Sequence, residues 1–92
     1  MIARIMGEGQ YRVPDEQVAA LNVHDDALAA AVTSGDAAAF SSALAELLSL
    51  VRSVGTRLPD EELVPSDVVL PSPSATIEEV TELSGDGGLI PG

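Results

Sequence analysis

The residue types that support chemistry stand in two short acidic clusters. In the first, His24-Asp25-Asp26, the chain's single imidazole stands beside two carboxylates. The second is the run Asp60-Glu61-Glu62, followed by Asp67 beyond Pro65. Imidazole and carboxylate groups act as metal ligands, as general acids and bases, and as charged contacts for a partner. Each use requires a particular geometry, which the residue spacing limits.

The cluster His24-Asp25-Asp26 falls in a segment with helical spacing. Successive helical residues point about 100° apart, so these side chains do not converge on one metal ion without ligands from elsewhere. We interpret His24 as a surface or half-buried histidine. Ser66 and Thr76 have no neighbouring histidine to activate them, so a Ser-His-Asp triad is not expected. The sequence predicts no enzyme.

The acidic run at Asp60 lacks the alternating ligand spacing of an EF-hand loop. Three interpretations stay open for it: a solvated loop, a patch that faces a basic partner, and a site that binds a divalent cation or small ligand. Another run, Gly7-Glu8-Gly9, shares glycines with phosphate-binding loops. It leads into a strand pattern instead of a helix, so nucleotide binding is not expected.

The charge balance limits the classes of partner. Fifteen Asp and Glu residues face four arginines and no lysine, which gives a net charge of −11. Such a surface repels nucleic-acid phosphates and anionic lipid head groups, so direct binding of either is not expected. An acidic background for solubility, attraction to a basic protein, and mimicry of nucleic acid are the remaining interpretations. The chain has no cysteine, which excludes disulfides and thiolate metal sites, and we predict no cofactor.

The length and the apolar runs indicate one small domain without a membrane span. Ninety-two residues suit a single domain. No apolar run approaches the roughly 20 residues that a spanning helix needs, and Met1–Met6 is too short for a signal peptide. We therefore expect a cytoplasmic protein.

The strongest secondary-structure signal is a helix from Asp36 to Val54. Its apolar stripe has helical spacing and consists of Phe40, Ala43, Leu44, Leu47, Leu48, Val51 and Val54. Gly35 suits the end of a preceding helix, and Asp36 suits the N-cap of this one. We expect Gly55 to end it in the left-handed conformation. The stripe predicts a core helix.

Residues 1–14 predict a β-hairpin. Alternating residues on both sides of Gly7-Glu8-Gly9 fit two strands, and the glycines permit the positive φ of a tight turn. Arg4 and Arg12 lie on the two arms. We expect carboxylates of the Pro-rich segment to pair with these arginines and hold the strand Val68–Leu70 in place.

Residues 15–55 predict an antiparallel helical hairpin. After Pro14, Asp15 and Glu16 suit the first turn of a helix. Steps of three and four then connect Val18, Leu21, His24, Leu28, Ala31 and Val32. One helix of about five turns is the simplest interpretation. A break between Asn22 and Asp25 is the alternative, because Asn and Asp favour caps.

Residues 56–75 form a Pro-rich acidic segment, which the prolines keep from becoming a long helix. Within it Val68–Leu70 predicts a short strand, which we expect to join the hairpin at one edge. The whole pattern predicts a small α+β domain. Its N-terminal β-hairpin and short third strand pack on the antiparallel helical hairpin, and a short helix follows.

Residues 76–92 predict that short helix and a tail. Thr76-Ile77-Glu78-Glu79 matches a capping box, in which the Thr hydroxyl and the Glu carboxylate each accept from a backbone donor. We expect the helix to continue to Leu83 and to end at the glycines Gly85, Gly87 and Gly88. Leu89-Ile90 would then pack on the core or pair at a sheet edge.

Several motifs lie in order along the chain. They are Gly7-Glu8-Gly9-Gln10-Tyr11, Leu21-Asn22 with Asp25-Asp26-Ala27-Leu28, Gly35-Asp36 with Phe40, the run from Leu58 to Pro71, Thr76 to Val80, and Gly88 to Gly92. With these motifs the chain resembles the PspA-associated protein family, PspAA, over essentially its whole length. The block from Leu63 to Asp67 is the most specific part, and the Ala-rich helix is the least. His24 departs from the pattern, because an apolar residue is expected there.

This resemblance implies a non-enzymatic accessory module that acts with a phage shock protein A homologue, the coiled-coil membrane-remodelling protein of the envelope stress response. The implied partner is a PspA-like coiled coil, which would bring the domain to the inner face of the membrane without direct contact. Formation of a homo-oligomer stays open. We expect the partner to be contacted by residues of the hairpin turn and the acidic segment, namely Glu8, Tyr11, Asp60, Glu61, Glu62, Ser66 and Asp67.

Overall fold

The structure is a computed structural model that describes residues 1–59, 61, 62 and 64–84, with only the backbone of residues 82–84. A short 3-10 turn (Asp15–Gln17) precedes the first helix. The strands and helices are β1 (Ile2–Ile5), β2 (Gly9–Arg12), α1 (Val18–Ser34), α2 (Ala37–Val54), β3 (Thr56–Arg57), β4 (Val68–Leu70) and α3 (Ile77–Ser84).

The strands form one four-stranded sheet in the order β3-β2-β1-β4. β1 and β2 are the antiparallel hairpin, with Ala3 opposite Tyr11. β4 pairs with β1 in parallel, with Val68 opposite Ala3. This arrangement confirms the α+β fold and the short strand at one edge of the hairpin. β3 was not predicted, because its two residues are exposed and carry no apolar pattern.

The helical hairpin supplies most of the core. Six residues of the predicted α2 stripe are buried: Phe40, Ala43, Leu44, Leu47, Leu48 and Val51. Inward-facing residues of the sheet, including Ile5, Tyr11 and Leu70, join the same cluster. If each large side chain contributes about 1.5–3 kcal/mol on burial, this cluster is the main source of stability.

α1 is one uninterrupted helix, so the alternative with a break between Asn22 and Asp25 is wrong. Its buried face also differs from the expectation. Asp25 is buried between Leu21 and Leu28 in the helical sequence, whereas His24 is only partly buried. The one-residue difference turns the side chain by about 100°, and this places the carboxylate inward.

The start of α2 agrees with the prediction, and its end does not. Gly35 adopts the left-handed conformation with φ 69°, and Asp36 Oδ1 accepts from the Ala39 amide at 3.1 Å. The left-handed prediction for Gly55 is wrong, because its φ is −90° and ψ is 159°. The chain continues directly into β3, which requires extended backbone. Glycine suits this position because a Cβ would lie 3.1 Å from the Tyr11 Cβ.

Among the described residues, α2 alone is long and apolar enough to cross a membrane, judged by length and composition. The expectation that no run comes near this length was therefore too strict. A third of this helix is buried inside the domain, and the buried residues form one stripe. These features are typical of a core helix.

The Thr76 half of the capping box predicted at the start of α3 is confirmed. Thr76 Oγ1 accepts from the Glu79 amide at 3.2 Å, and Val80 of the same helix is 2% exposed within the core. The side chain of Leu83 lies outside the described residues. So do the expected stop at the glycines Gly85, Gly87 and Gly88 and the placement of Leu89-Ile90.

Candidate partner-binding surface

The acidic segment crosses the outer face of the sheet, which is the face opposite the helices. It connects β3 at one edge with β4 at the other, and we call residues 58–67 the strap. At its start the Leu58 amide donates to the Gln10 carbonyl at 2.9 Å. At its end the Asp67 amide donates to the Ile2 carbonyl at 2.8 Å. Main-chain bonds to both central strands therefore fix the two ends.

Side chains fix the second half of the strap. Gln10 is 7% exposed, and its Nε2 donates to the Val64 carbonyl at 2.9 Å and to Ser66 Oγ at 2.8 Å. Asp67 Oδ2 accepts from the Ile2 amide at 2.7 Å. Two residues of the expected contact set, Ser66 and Asp67, thus hold the strap on the sheet.

The middle of the strap presents its carboxylates to solvent. Glu61 and Glu62 are both exposed. Glu62 Oε1 lies 3.6 Å from Arg12 Nη2, in a pair with exposed side chains, so the expected pairing with Arg12 is confirmed. Exposed pairs of this kind contribute about 0–1 kcal/mol. Asp60 lies outside the described residues, and within the described part of the chain Arg4 makes no ion pair.

The other expected contacts, Glu8 and Tyr11, belong to a cluster at the hairpin turn, where Gly7 and Gly9 have positive φ. The Tyr11 hydroxyl donates to Glu8 Oε2 at 2.7 Å. Arg52 donates from Nε to the same oxygen at 2.9 Å and from Nη2 to Oε1 at 2.8 Å. This bidentate geometry is the strong form of an arginine–carboxylate contact.

Arg57 completes this group, and we call Glu8, Tyr11, Arg52 and Arg57 the turn cluster. Arg57 Nη2 donates to the Glu8 carbonyl at 2.8 Å, and its guanidinium carbon lies 5.8 Å from the centroid of the Tyr11 ring. A Cβ at Gly9 would come within 2.7 Å of Arg57 Nη2. Glycine at that position therefore lets the arginine lie over the turn.

The hydrogen bonds of the turn cluster change its proton affinities. The bond from Arg52, followed by the bond from Tyr11, lowers the pKa of Glu8 to about 2. The bond to Glu8 raises the pKa of Tyr11 and that of Arg52. The cluster is thus a hydrogen-bonded network with an ionised carboxylate at its centre. Neither arginine was expected there, because 44 residues separate Arg52 from Glu8 and no local pattern connects them.

The cluster His24-Asp25-Asp26 diverges as helical geometry requires. His24 Nδ1 lies 3.6 Å from Glu46 Oε2 on α2, Asp25 is buried, and Asp26 is exposed. The described residues contain no group of three or more His, Asp or Glu placed to hold a metal ion. The interpretation of the acidic clusters as a cation site therefore gains no support.

A comparison with family models identifies the family of this chain. The model of PspAA, described as PspA-Associated protein, matches residues 1–92. The chain belongs to the PspA-associated protein family. No curated protein and no solved structure matches it. PspAA is a family of accessory proteins and not a known enzyme family, and its name implies association with PspA.

Proposed function

We propose that this PspAA protein docks on a PspA-like coiled coil as a non-enzymatic accessory module, on the cytoplasmic side of the membrane. The observation that carries the proposal is family membership over residues 1–92. In this role the domain reaches the inner face of the membrane only through its partner. We do not propose the cation-responsive or nucleic-acid-mimic alternatives, since no observation favours them.

The distribution of charge supports a basic binding partner. The net charge is −11, and three of the four arginines already contact acidic side chains or a carbonyl: Arg12, Arg52 and Arg57. Long charged coiled coils contain basic stretches. Electrostatic complementarity with such a stretch increases the association rate and the specificity more than the affinity.

The strap supplies the proposed direct contacts. Glu61 and Glu62 are exposed at its middle, where a basic side chain of the partner can reach them. Ser66 and Asp67 position the strap instead of contacting the partner, as their bonds to the sheet indicate.

Glu8 and Tyr11 hold the hairpin turn in position in this proposal and do not contact the partner, since their polar groups bond to each other. Asp60 stays in the proposed contact set, although the structure does not describe it.

Titration of the purified domain with the PspA homologue of the same organism tests the proposal. We expect binding at low salt that weakens as the salt concentration rises, because screening acts on exposed charges. The double variant E61Q/E62Q should weaken binding more than the control E16Q/D26N, which removes two exposed charges elsewhere. Absence of wild-type binding at low salt would contradict the proposal.

A further inference from the structure

Two depressions of similar size differ in what they can bind. One, with a volume of about 270 Å³, lies beside the strap and includes Arg4 and Gln10 in its lining. The other has a volume of about 330 Å³ and lies between the first turns of α2 and α3. We call it the α2–α3 groove. Its lining includes Ala37, Phe40, Ser41, Ala75, Ile77 and Glu78.

The floor of the α2–α3 groove is apolar. Phe40 is 4% exposed and belongs to the core, while Ala75 and Ile77 are half-buried and pack against that core. A volume of about 330 Å³ is at the small end of the range for binding pockets. The depression therefore suits a side chain from a protein partner better than a large ligand.

The rim of the α2–α3 groove is acidic. Glu78 lines it, its neighbour Glu79 is exposed, and Asp36 is exposed immediately before Ala37. Asp36 caps α2 through Oδ1, and the two glutamates lie in the first turn of α3, where they complement the helix dipoles. No arginine is among the described lining residues. The charge of this rim therefore favours a cationic partner.

A comparison of the α2–α3 groove with the cavity beside the strap indicates which of them receives an apolar side chain of such a partner. Arg4 lines the cavity beside the strap, so this cavity suits the apolar side chain of a basic segment less well than the α2–α3 groove, which has no arginine in its described lining. Exposed charges mainly affect association, whereas affinity in protein interfaces concentrates in a few side chains that fill pockets.

We propose that the α2–α3 groove receives an apolar side chain of a basic amphipathic helix, and that this helix belongs to the PspA-like partner. The inference rests on the proposed function and adds to it the docking site and the chemistry of the recognised segment. An apolar stripe flanked by Lys or Arg matches an apolar floor with an acidic rim. A second copy of the domain does not match, because each copy carries a charge of −11.

The test compares the same substitution at two positions of α2. Ser41 is exposed at the groove, so Ser41→Arg places bulk and positive charge at its mouth. Ser49 is exposed on the same helix and does not line the groove, so Ser49→Arg is the matched control. Arg favours helices more than Ser does, which preserves α2 in both variants. Ser41→Gln adds bulk without charge and separates the two effects.

Binding of the PspA homologue is measured by surface plasmon resonance, with thermal melting as the check on folding. We expect Ser41→Arg to weaken binding about tenfold, mainly through faster dissociation, as for a truncated or blocked interface pocket. Ser41→Gln should weaken it less. Ser49→Arg should change it less than about twofold, because surface charges away from the contact act only through screened electrostatics.

The outcomes separate the groove from the proposed function. If the wild type binds and the two Arg variants bind equally, the groove is not the docking site and the proposed function stands. If the wild type does not bind, both are overturned. If Ser41→Arg alone loses binding while its melting temperature equals that of Ser49→Arg, the groove is the docking site.

Discussion

The turn cluster and the strap both contain carboxylates, but the surroundings of these carboxylates differ. At the turn, Glu8 accepts from Arg52 and Tyr11, so its oxygens are occupied inside the molecule. On the strap, Glu61 and Glu62 are exposed, and the contact of Glu62 with Arg12 is long at 3.6 Å. The chain has only four arginines. A carboxylate stabilises the fold where the tertiary structure brings an arginine close to it, and elsewhere it can contact a partner.

The positions of the arginines explain this difference. All four lie in the sheet or in the last turn of α2: Arg4, Arg12, Arg52 and Arg57. No arginine is among the described residues that line the α2–α3 groove. Among the described residues, Glu78 and Glu79 at its rim make no ion pair.

The largest expected effect tests how the strap is held. Gln10→Met keeps the shape of the side chain and removes its donor group, so the Val64 carbonyl and Ser66 Oγ lose their bonds. We expect a loss of about 2 kcal/mol in the free energy of unfolding. Urea unfolding gives this value, and hydrogen exchange should accelerate in the strap more than in the turn cluster. Equal acceleration in both would show that the two regions are not independent.

A smaller loss is expected at the turn cluster. Arg52→Gln removes the bidentate contact with Glu8, and partial exposure of both side chains moderates its value. We expect a loss of about 1 kcal/mol in the free energy of unfolding, measured by urea unfolding. Its control is Arg12→Gln, which removes a long exposed pair and should cost less. A cost for Arg12→Gln as large as that for Arg52→Gln would remove the distinction between the two regions.

The same contact predicts a dependence on pH. The pKa of Glu8 in the folded protein is about 2, below its ordinary value of 4.5. The contribution of the Arg52–Glu8 contact to stability is therefore fully present above pH 4.5 and is lost as the pH falls toward 2. The difference in melting temperature between wild type and Arg52→Gln should therefore narrow over this range. A difference that stays constant from pH 6 to about pH 2 would exclude Glu8 as its origin.

The smallest effect on stability is expected on the strap. Glu62→Gln removes one member of an exposed ion pair, so we expect the free energy of unfolding to change by less than about 0.5 kcal/mol. Chemical unfolding measures it. A loss above 1 kcal/mol would mean that Glu62 belongs to the internal network of the fold, like Glu8, and not to a surface available to a partner.

Local patterns predicted the parts of the fold that depend on neighbouring residues. The α2 stripe, the cap at Asp36, the end of α1 at Gly35 and the Thr76 hydroxyl cap all agree with the structure. Each depends on residues no more than a few positions apart, so the sequence contains the signal directly.

The parts that were missed depend on contacts between distant residues. β3 forms because β2 is beside it, and Thr56–Arg57 carries no apolar alternation of its own. The same holds for the bond between Arg52 and Glu8 and for the burial of Asp25. For the candidate surface, the sequence grouped Glu8 with the acidic residues of the strap, and only the fold separates Glu8, which bonds to Arg52, from Glu61 and Glu62, which face solvent.

The parallel pairing of β1 with β4 also sets the order in which the domain can assemble. The β1–β2 hairpin and the α1–α2 hairpin each connect residues that are near in sequence, so they can form while later residues are still being synthesised. β4 joins β1 across 65 residues, since Val68 lies opposite Ala3. The sheet and the strap therefore close only after residues 68–70 have been synthesised, and until then the outer edge of β1 is open to pairing with other chains.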